Sequence, residues 1–325
     1  MKNKIGKMSF DESRMGMTFK TPSANDVHVD AILSNISVKY TNDSYIADAV
    51  MPPIPVKKES DKYYRYTKNW RLPSAHRADG AEAKQIDWAI DTDTYQTEEY
   101  ALKDLVTDRQ RANADNPLSL DVDATENLTD MIMLLREKRV ADVVFASGTY
   151  GTQTSALTGA QCWDDYAGSD PINDINTARV AIHAATGKLP NVIVLGYQVY
   201  LKLCQHPDIL ERIKYTQKGL VTADLIAQVF ELPRVIVGMA SYDSAQEGAT
   251  SSVGYVWGKS AAILYVEPSP GLKKVSFGYQ FKSRGMQTSK WRKEENKADF
   301  IEVGEIVDEK VVCATAGYLF TTVIA

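Results

Sequence analysis

Tyr63-Tyr64-Arg65-Tyr66-Thr67-Lys68-Asn69-Trp70-Arg71 is the stretch that decides the fold. Tyr64, Tyr66 and Trp70 share one parity and Arg65 and Arg71 the other, the period of two that a β-strand imposes on its side chains. A second arm follows, in which Ile86, Trp88 and Ile90 alternate with Asp87 and Asp91. The segment between the arms, about Pro73 to Lys84, is small and polar and reads as a hairpin tip. Each arm carries an apolar face and a charged face. A two-stranded ribbon is at best marginally stable alone in water, so its rings need another surface to lie on. Charge is segregated over the same region. Residues 57–77 hold seven Lys or Arg and two acids, and residues 79–126 hold thirteen acids and four bases.

Upstream, Val50-Met51-Pro52-Pro53-Ile54-Pro55-Val56 places three prolines in four positions, which enforces extended backbone and bars a helix. This predicts a rigid strap leading into the ribbon. The first residues are locally basic (Lys2, Lys4, Lys7, Arg14, Lys20) and read as a solvated tail, or as an arm that orders against a partner subunit. Downstream, Leu118, Val122, Leu128, Met131, Ile132 and Leu135 recur at spacings of three and four. They predict a helix from about Asn116 to Ala146, a rod of ~45 Å. Asp115, Asp121 and Asp123 suit its N-terminal dipole. Residues 147–160 read as a loop. Asp170-Pro171 starts another helix, which ends at Gly187. Asn191–Gly196 and Val235–Gly238 read as buried strands, with helices at 198–205 and 222–231, an α/β unit. From Val253 the pattern turns to β: 255–257, 263–266, 275–281, 300–312 and 317–324.

Chemistry is sparse. A net charge of −5 gives no global pull toward nucleic acid. Cys162, Cys204 and Cys313 fit neither a disulfide framework nor a zinc spacing, and predict reduced thiols in a cytosolic setting. No run approaches the ~18 apolar residues of a membrane span. His28, His76, His183 and His206 are isolated and read as structural, with His206 before Pro207 ending a helix. Gly258-Lys259-Ser260 lacks the upstream glycine of a phosphate loop, because Val253 stands there, and reads as a tight turn. Asp91 and Asp93 read as solvent-facing by strand alternation. No catalytic, cofactor or metal set is expected. Rings interleaved with cations suit stacking of single-stranded bases. They also suit a protein interface, where Tyr, Trp and Arg dominate, and the acidic stretch downstream supplies a partner of the same chain type. The interface is the stronger reading, carried by Tyr64, Arg65, Tyr66, Lys68, Trp70, Arg71 and Trp88.

Several stretches in order resemble the major capsid proteins of tailed bacteriophages, the Hong Kong 97-type fold. They are Ala47-Asp48-Ala49-Val50-Met51-Pro52-Pro53-Ile54-Pro55-Val56, Tyr95-Gln96-Thr97-Glu98-Glu99-Tyr100, Asn113-Ala114-Asp115-Asn116-Pro117-Leu118, Asp123-Ala124-Thr125-Glu126-Asn127-Leu128, Thr186-Gly187-Lys188-Leu189-Pro190-Asn191 and His206-Pro207. The resemblance covers residues 45–325. It implies an α+β fold with an N-terminal arm (1–50), an extended β-hairpin loop (51–100), a peripheral domain with a long spine helix (101–169 and 256–310) and an axial α/β domain (170–255 and 311–325). It further implies self-assembly into hexameric and pentameric capsomers of an icosahedral head enclosing double-stranded DNA, without sequence-specific binding. In this family the extended loop lies over the adjacent subunit of a capsomer. Expected partners are a separate scaffolding protein, a portal protein and, where one exists, a decoration protein; no membrane is expected. The expected location is the virion, after assembly in the host cytoplasm. Two alternatives are an encapsulin-like bacterial compartment shell and, more distantly, an α/β enzyme with its site in 147–260. Lys–Asn crosslinking, with Lys68 and Lys84 near the hairpin tip, is not expected.

Overall fold

A computed structural model of the chain describes residues 45–66, 74–83, 85, 90–114, 119–214, 221–246, 248–271 and 274–325. Lys68, Trp70, Arg71, Lys84, Trp88, the arm before residue 45 and residues 115–118 lie outside that set. The chain begins with α1 (Ala47–Val50), β1 (Pro53–Pro55), β2 (Ser60–Tyr66), β3 (Ile90–Gln96), β4 (Glu98–Thr107), α2 (Asp108–Ala112) and α3 (Leu120–Val144). It continues through β5 (Thr154–Ala156), α4 (Pro171–Thr186), β6 (Val192–Gly196), α5 (Tyr197–Cys204), α6 (Pro207–Ile213), α7 (Ala223–Val229) and β7 (Arg234–Gly238). It finishes with β8 (Ser241–Asp243), β9 (Val253–Tyr255), β10 (Ala261–Leu264), β11 (Gly278–Lys293), β12 (Ala298–Val311) and β13 (Gly317–Thr321).

Two sheets organise these elements. One has the order β1-β11-β12-β4, the other β5-β13-β10-β6-β7; β2–β3 and β8–β9 are separate ribbons. The prolines of the strap do what their fixed φ allows, and β1 pairs with β11 as a short edge strand. β10 falls within the 256–310 stretch, yet it is hydrogen-bonded to β6 and β13 inside the five-stranded sheet. β5, in the predicted loop, joins that sheet beside β13. β11 runs on to Lys293, well past the expected end at 281. Its distal half is polar, so it carries no apolar alternation.

The long helix starts at Leu120 and spans 25 residues, ~37 Å rather than the ~45 Å expected. Its contacts explain why the predicted apolar stripe is only half right. Ala124, Leu128 and Ile132 pack on Val106, Ile301 and Val303 of the four-stranded sheet. Val140, Ala141 and Val144 pack in a second core with Met51, Val194, Trp257 and Leu264. Moving from one core to the other rotates the buried face. Val122, Met131 and Leu135 are therefore exposed, while the charged Arg136 and Glu137 are buried.

Buried charge here is fully partnered. Arg136 Nη1 lies 3.3 Å from Glu305 Oε2, and Arg139 Nη2 lies 3.2 Å from Glu305 Oε1 and 2.9 Å from Glu309 Oε1. Arg139 also sits 3.7 Å above the Tyr100 ring. Glu137 accepts from Ile46 N at 2.9 and 3.0 Å, Ala47 N at 2.9 Å and Trp257 Nε1 at 2.6 Å. Burial pushes its carboxyl above the ordinary value, against the pull of these donors. The start of α1, the long helix α3 and the second core are thus riveted at one side chain.

The α/β unit follows the sequence closely. Asp170 caps α4 by accepting from Asn173 N at 3.0 Å, and Gly187 closes the helix at φ 66°. β6 is buried throughout and parallel to β7. His206 does not end a helix. It caps the start of α6, a helix the pattern did not reveal, with Nδ1 accepting from Asp208 N at 3.3 Å.

Candidate assembly interface

The predicted ribbon forms from β2 and β3, antiparallel, with Tyr63 opposite Asp93, Tyr64 opposite Thr92, Arg65 opposite Asp91 and Tyr66 opposite Ile90. The second arm extends beyond Ile90 to Gln96, further than its apolar alternation suggested. Alternation sorts the ribbon into two faces. One holds Tyr63, Asp93 and Tyr95; the other holds Tyr64 and Thr92.

The first face is anchored to the body. Tyr95 stacks on Phe281 at 4.7 Å between centroids, and Tyr63 tilts against the same ring at 5.5 Å. The Tyr63 hydroxyl donates to Asp93 Oδ2 at 2.9 Å, and Lys310 Nζ reaches Asp93 Oδ1 at 3.2 Å and the Thr94 carbonyl. Desolvation pushes the Asp93 carboxyl up, but Tyr63, Thr94 N–H and Lys310 together hold it below its ordinary value. Asp93 is therefore a structural acceptor, not the solvent-facing group expected. Gln96 N donates to Asp308 Oδ2 at 3.0 Å, and Tyr95 and Thr97 hydroxyls donate to the carbonyls of Lys58 and Glu59. The second face is bare: Tyr64 is 60% exposed.

The ribbon stands on a definable side of the four-stranded sheet. Along β12, Ile301, Val303, Glu305 and Glu309 point to α3. The intervening Phe300, Glu302, Asp308 and Lys310 therefore point away, and Asp308 and Lys310 hold the ribbon base. At the other end of this face, Trp291, Phe300 and Leu105 form one cross-strand row over β11, β12 and β4. Trp291 stacks on Phe300 at 5.8 Å, and Lys103 Nζ lies 5.7 Å from the Phe300 centroid. Trp291 remains 40% and Leu105 37% exposed.

Of the predicted interface residues, the structure brings Tyr64, Arg65 and Tyr66 onto one strand; the other four lie outside the described residues. The backbone register sets Arg65 opposite Asp91 of its own ribbon. Some downstream acids are also engaged within the chain. Asp108 meets Arg292 at 2.7 Å, and Asp121 meets Arg111 at 2.7 Å and Lys290 at 2.9 Å. The sequence reading missed Tyr63, Tyr95, Phe281 and Lys310 at the base, and Trp291, Phe300 and Leu105. Their only signal was parity on strands whose neighbours are charged.

One cluster imitates catalytic machinery. Ser169 Oγ lies 3.0 Å from His206 Nε2, and Asp208 Oδ2 lies 3.7 Å from Nδ1. The hydrogen bonds assign it otherwise. Nδ1 accepts the Asp208 N–H, so the ring proton sits on Nε2 and points at Ser169 Oγ. Ser169 in turn donates to the Asp165 carbonyl at 2.7 Å. No base faces the hydroxyl, and the group is a buried cap. Gly258-Lys259-Ser260 is a turn, with Gly258 at φ 34° and Lys259 Nζ donating to the Ala325 carbonyl at 2.7 Å. Among the described residues, no group of three or more His, Cys, Asp or Glu is placed to hold a metal, and no helix is long and apolar enough to cross a membrane.

No protein-family model matches the chain. The major capsid protein of Burkholderia phage BcepMu is 29% identical over 307 residues, which are 90% of this chain and 96% of that protein. A phage-related protein of Bordetella bronchiseptica RB50 superposes with a TM-score of 0.66 at 26% identity, over 90% of this chain and 96% of that one. The capsid of cyanophage P-SCSP1u gives a TM-score of 0.62 at 10% identity, over 96% and 98% of the two chains. The fold is the α+β, Hong Kong 97-type fold of phage shells. The chain is a major capsid protein of the tailed-phage kind: a virion subunit that builds a shell from many copies, and not an enzyme.

Proposed function

We propose that copies of this chain close into hexameric and pentameric capsomers through the β2–β3 ribbon, each ribbon lying on the next subunit. One observation carries this reading. The ribbon is clamped at its base by Tyr63, Tyr95 and Lys310, yet presents Tyr64 to solvent on a side its own body leaves uncovered. Tyr66, Lys68, Trp70, Arg71 and Trp88 extend the same aromatic and basic character toward the tip. In this reading residues 1–50 are an arm and 51–100 the extended loop. The sheet carrying α3 is the core of a peripheral domain, and the sheet around β6 that of an axial domain. The energetics suit repetition. An exposed ion pair contributes ~0–1 kcal/mol and apolar burial ~25 cal/mol per Å², so weak contacts multiplied by symmetry permit correction during growth.

The finished head encloses double-stranded DNA without reading its sequence, consistent with a subunit of net charge −5. A separate scaffolding protein, a portal and, where present, a decoration protein are the expected partners, and assembly takes place in the host cytoplasm. Electron microscopy of the purified chain, alone and with a co-expressed scaffolding candidate, tests the proposal. Closed shells or capsomer rings are expected. A chain that stays monomeric in every salt, crowding and co-expression condition refutes it. Particles that carry a packaged enzyme instead of DNA would favour a compartment.

A further inference from the structure

We infer that residues 36–40 of this chain add a sixth strand to its own five-stranded sheet, running parallel to β7 along that strand's free edge. The inference concerns the subunit itself and stands independently of the ribbon contact. β7 (Arg234–Gly238) closes one end of the order β5-β13-β10-β6-β7 and pairs with β6 alone. Among the described residues, no backbone hydrogen bond reaches its outer side. The usual protections of an edge are thin here. β7 holds no proline, its register with β6 runs unbroken, and Arg234 is its one charge. Its middle, Val235, Ile236 and Val237, is the apolar run of a parallel strand with a neighbour on each side.

The occupant follows from where the chain enters the body. Ile46 N and Trp257 Nε1 both donate to Glu137 Oε1, at 2.9 and 2.6 Å. The Trp257 ring lies against Gly238, the last residue of β7, so closely that a Cβ there would sit 2.2 Å from Cδ1. The segment before Tyr45 therefore joins the body beside the C-terminal end of the free edge. Thr41, Asn42, Asp43 and Ser44 include the common turn formers, and four residues reach ~13 Å when extended. Just upstream, Ile36, Val38 and Tyr40 alternate with Ser37 and Lys39, the period of a strand in residue types that favour one. Positions 36–40 match the five residues of β7 in length. A chain that lies along β7 and finishes at its C-terminal end runs in the same direction, which is how β7 already pairs with β6. The arm that precedes residue 36 then departs from the Arg234 end of the sheet.

Hydrogen exchange on the whole chain, unassembled, tests the pairing. Val38→Pro and Lys39→Pro are made separately. Neighbours in a strand turn their N–H groups to opposite sides, so one of the two faces β7 and its loss breaks the ladder. Amides of 234–238 should exchange slowly in the parent and roughly tenfold faster in one proline variant, with α4 and β6 unchanged in both. Parent rates at 234–238 in both variants overturn the strand. Benzoylphenylalanine at Tyr40, in chain mixed with heavy-nitrogen-labelled parent and irradiated, reports which copy supplies it. The expected product joins position 40 to the peptide carrying Met239, 44% exposed just beyond β7, within one copy. A product only with another copy, a product only with α3, or no product overturns the inference.

Discussion

Replacing Glu137 should loosen the subunit before it touches any contact between copies. The side chain is fully buried on α3 and accepts four hydrogen bonds from three donors: Ile46 N, Ala47 N and Trp257 Nε1. Glu137→Leu leaves three buried N–H groups without an acceptor, each costing about 1–3 kcal/mol. Part of this is offset, because the carboxylate itself is held in the core against its desolvation. The net expectation is a loss of about 3–5 kcal/mol, the range for breaking a buried charged pairing. Glu137→Gln is the sharper variant. It keeps the shape, but Oε1 faces Ile46 N and Trp257 Nε1, and Oε2 faces Ile46 N and Ala47 N. Either amide orientation therefore points an NH2 at two donors, and a loss of about 2–3 kcal/mol is expected. Urea unfolding of the unassembled subunit measures both. Limited proteolysis at residues 45–51 reports whether α1 has come away from α3. A Gln variant with the parent's midpoint and slope, and an α1 segment equally resistant to cleavage, would refute the rivet.

Reversing Arg65 and Arg71 to Glu should block shell formation in sedimentation assays while leaving the subunit's urea midpoint within about 0.5 kcal/mol of the parent; normal shell yields would remove these residues from the interface. Burial holds the His206 imidazole below its ordinary value of 6.5, despite the opposing charges of Asp208 and Asp170. The neutral ring is thus favoured by folding. Its contribution is fully present above pH 6.5 and is lost as the pH falls toward the folded value, because the unfolded chain takes up the proton first. Urea midpoints at pH 8 and pH 5 should show that slope in the parent and a weaker one in His206→Gln. Assembled particles boiled under reducing conditions should run as a single monomer band; a ladder would reveal Lys–Asn bonds, with Lys68 and Lys84 the first residues to test.

Legibility in the sequence followed the locality of the signal. Asp170, Pro171 and Gly187 fix both ends of α4 through contacts within a turn, and both ends could be read. β6 is apolar throughout because it is buried on both faces. The long helix was visible, but its facing was not. Its buried residues switch partners halfway, so Met131 and Leu135 stay outside while Arg136 and Glu137 go in. The distal half of β11 was missed because it meets Asp121 of α3 and Asp108 of α2 through Lys290 and Arg292 rather than through apolar side chains, and β4 because only Leu102 and Val106 of its residues join the apolar core under α3. The ribbon was found from Tyr64 and Tyr66. Its anchored face was not, since Tyr63 and Tyr95 acquire meaning only when Phe281, more than 180 residues further on, is brought beneath them.

The charged layer under α3 explains how a subunit with two cores can present a ribbon at a fixed angle. An apolar contact between α3 and β12 would be at least as stable, since buried ion pairs often only offset their own desolvation. It would also tolerate sliding, because apolar side chains repack at modest cost. Arg136 and Arg139 instead grip Glu305 and Glu309 at defined positions on β12. The same strand, one residue further in each direction, holds Gln96 through Asp308 and Asp93 through Lys310. A shift of the helix along the strand would break the first set. A shift of the ribbon would break the second. Both are registered to β12, so the direction in which the ribbon leaves one copy is set by the helix that spans both cores, and every copy in a shell offers it at the same angle.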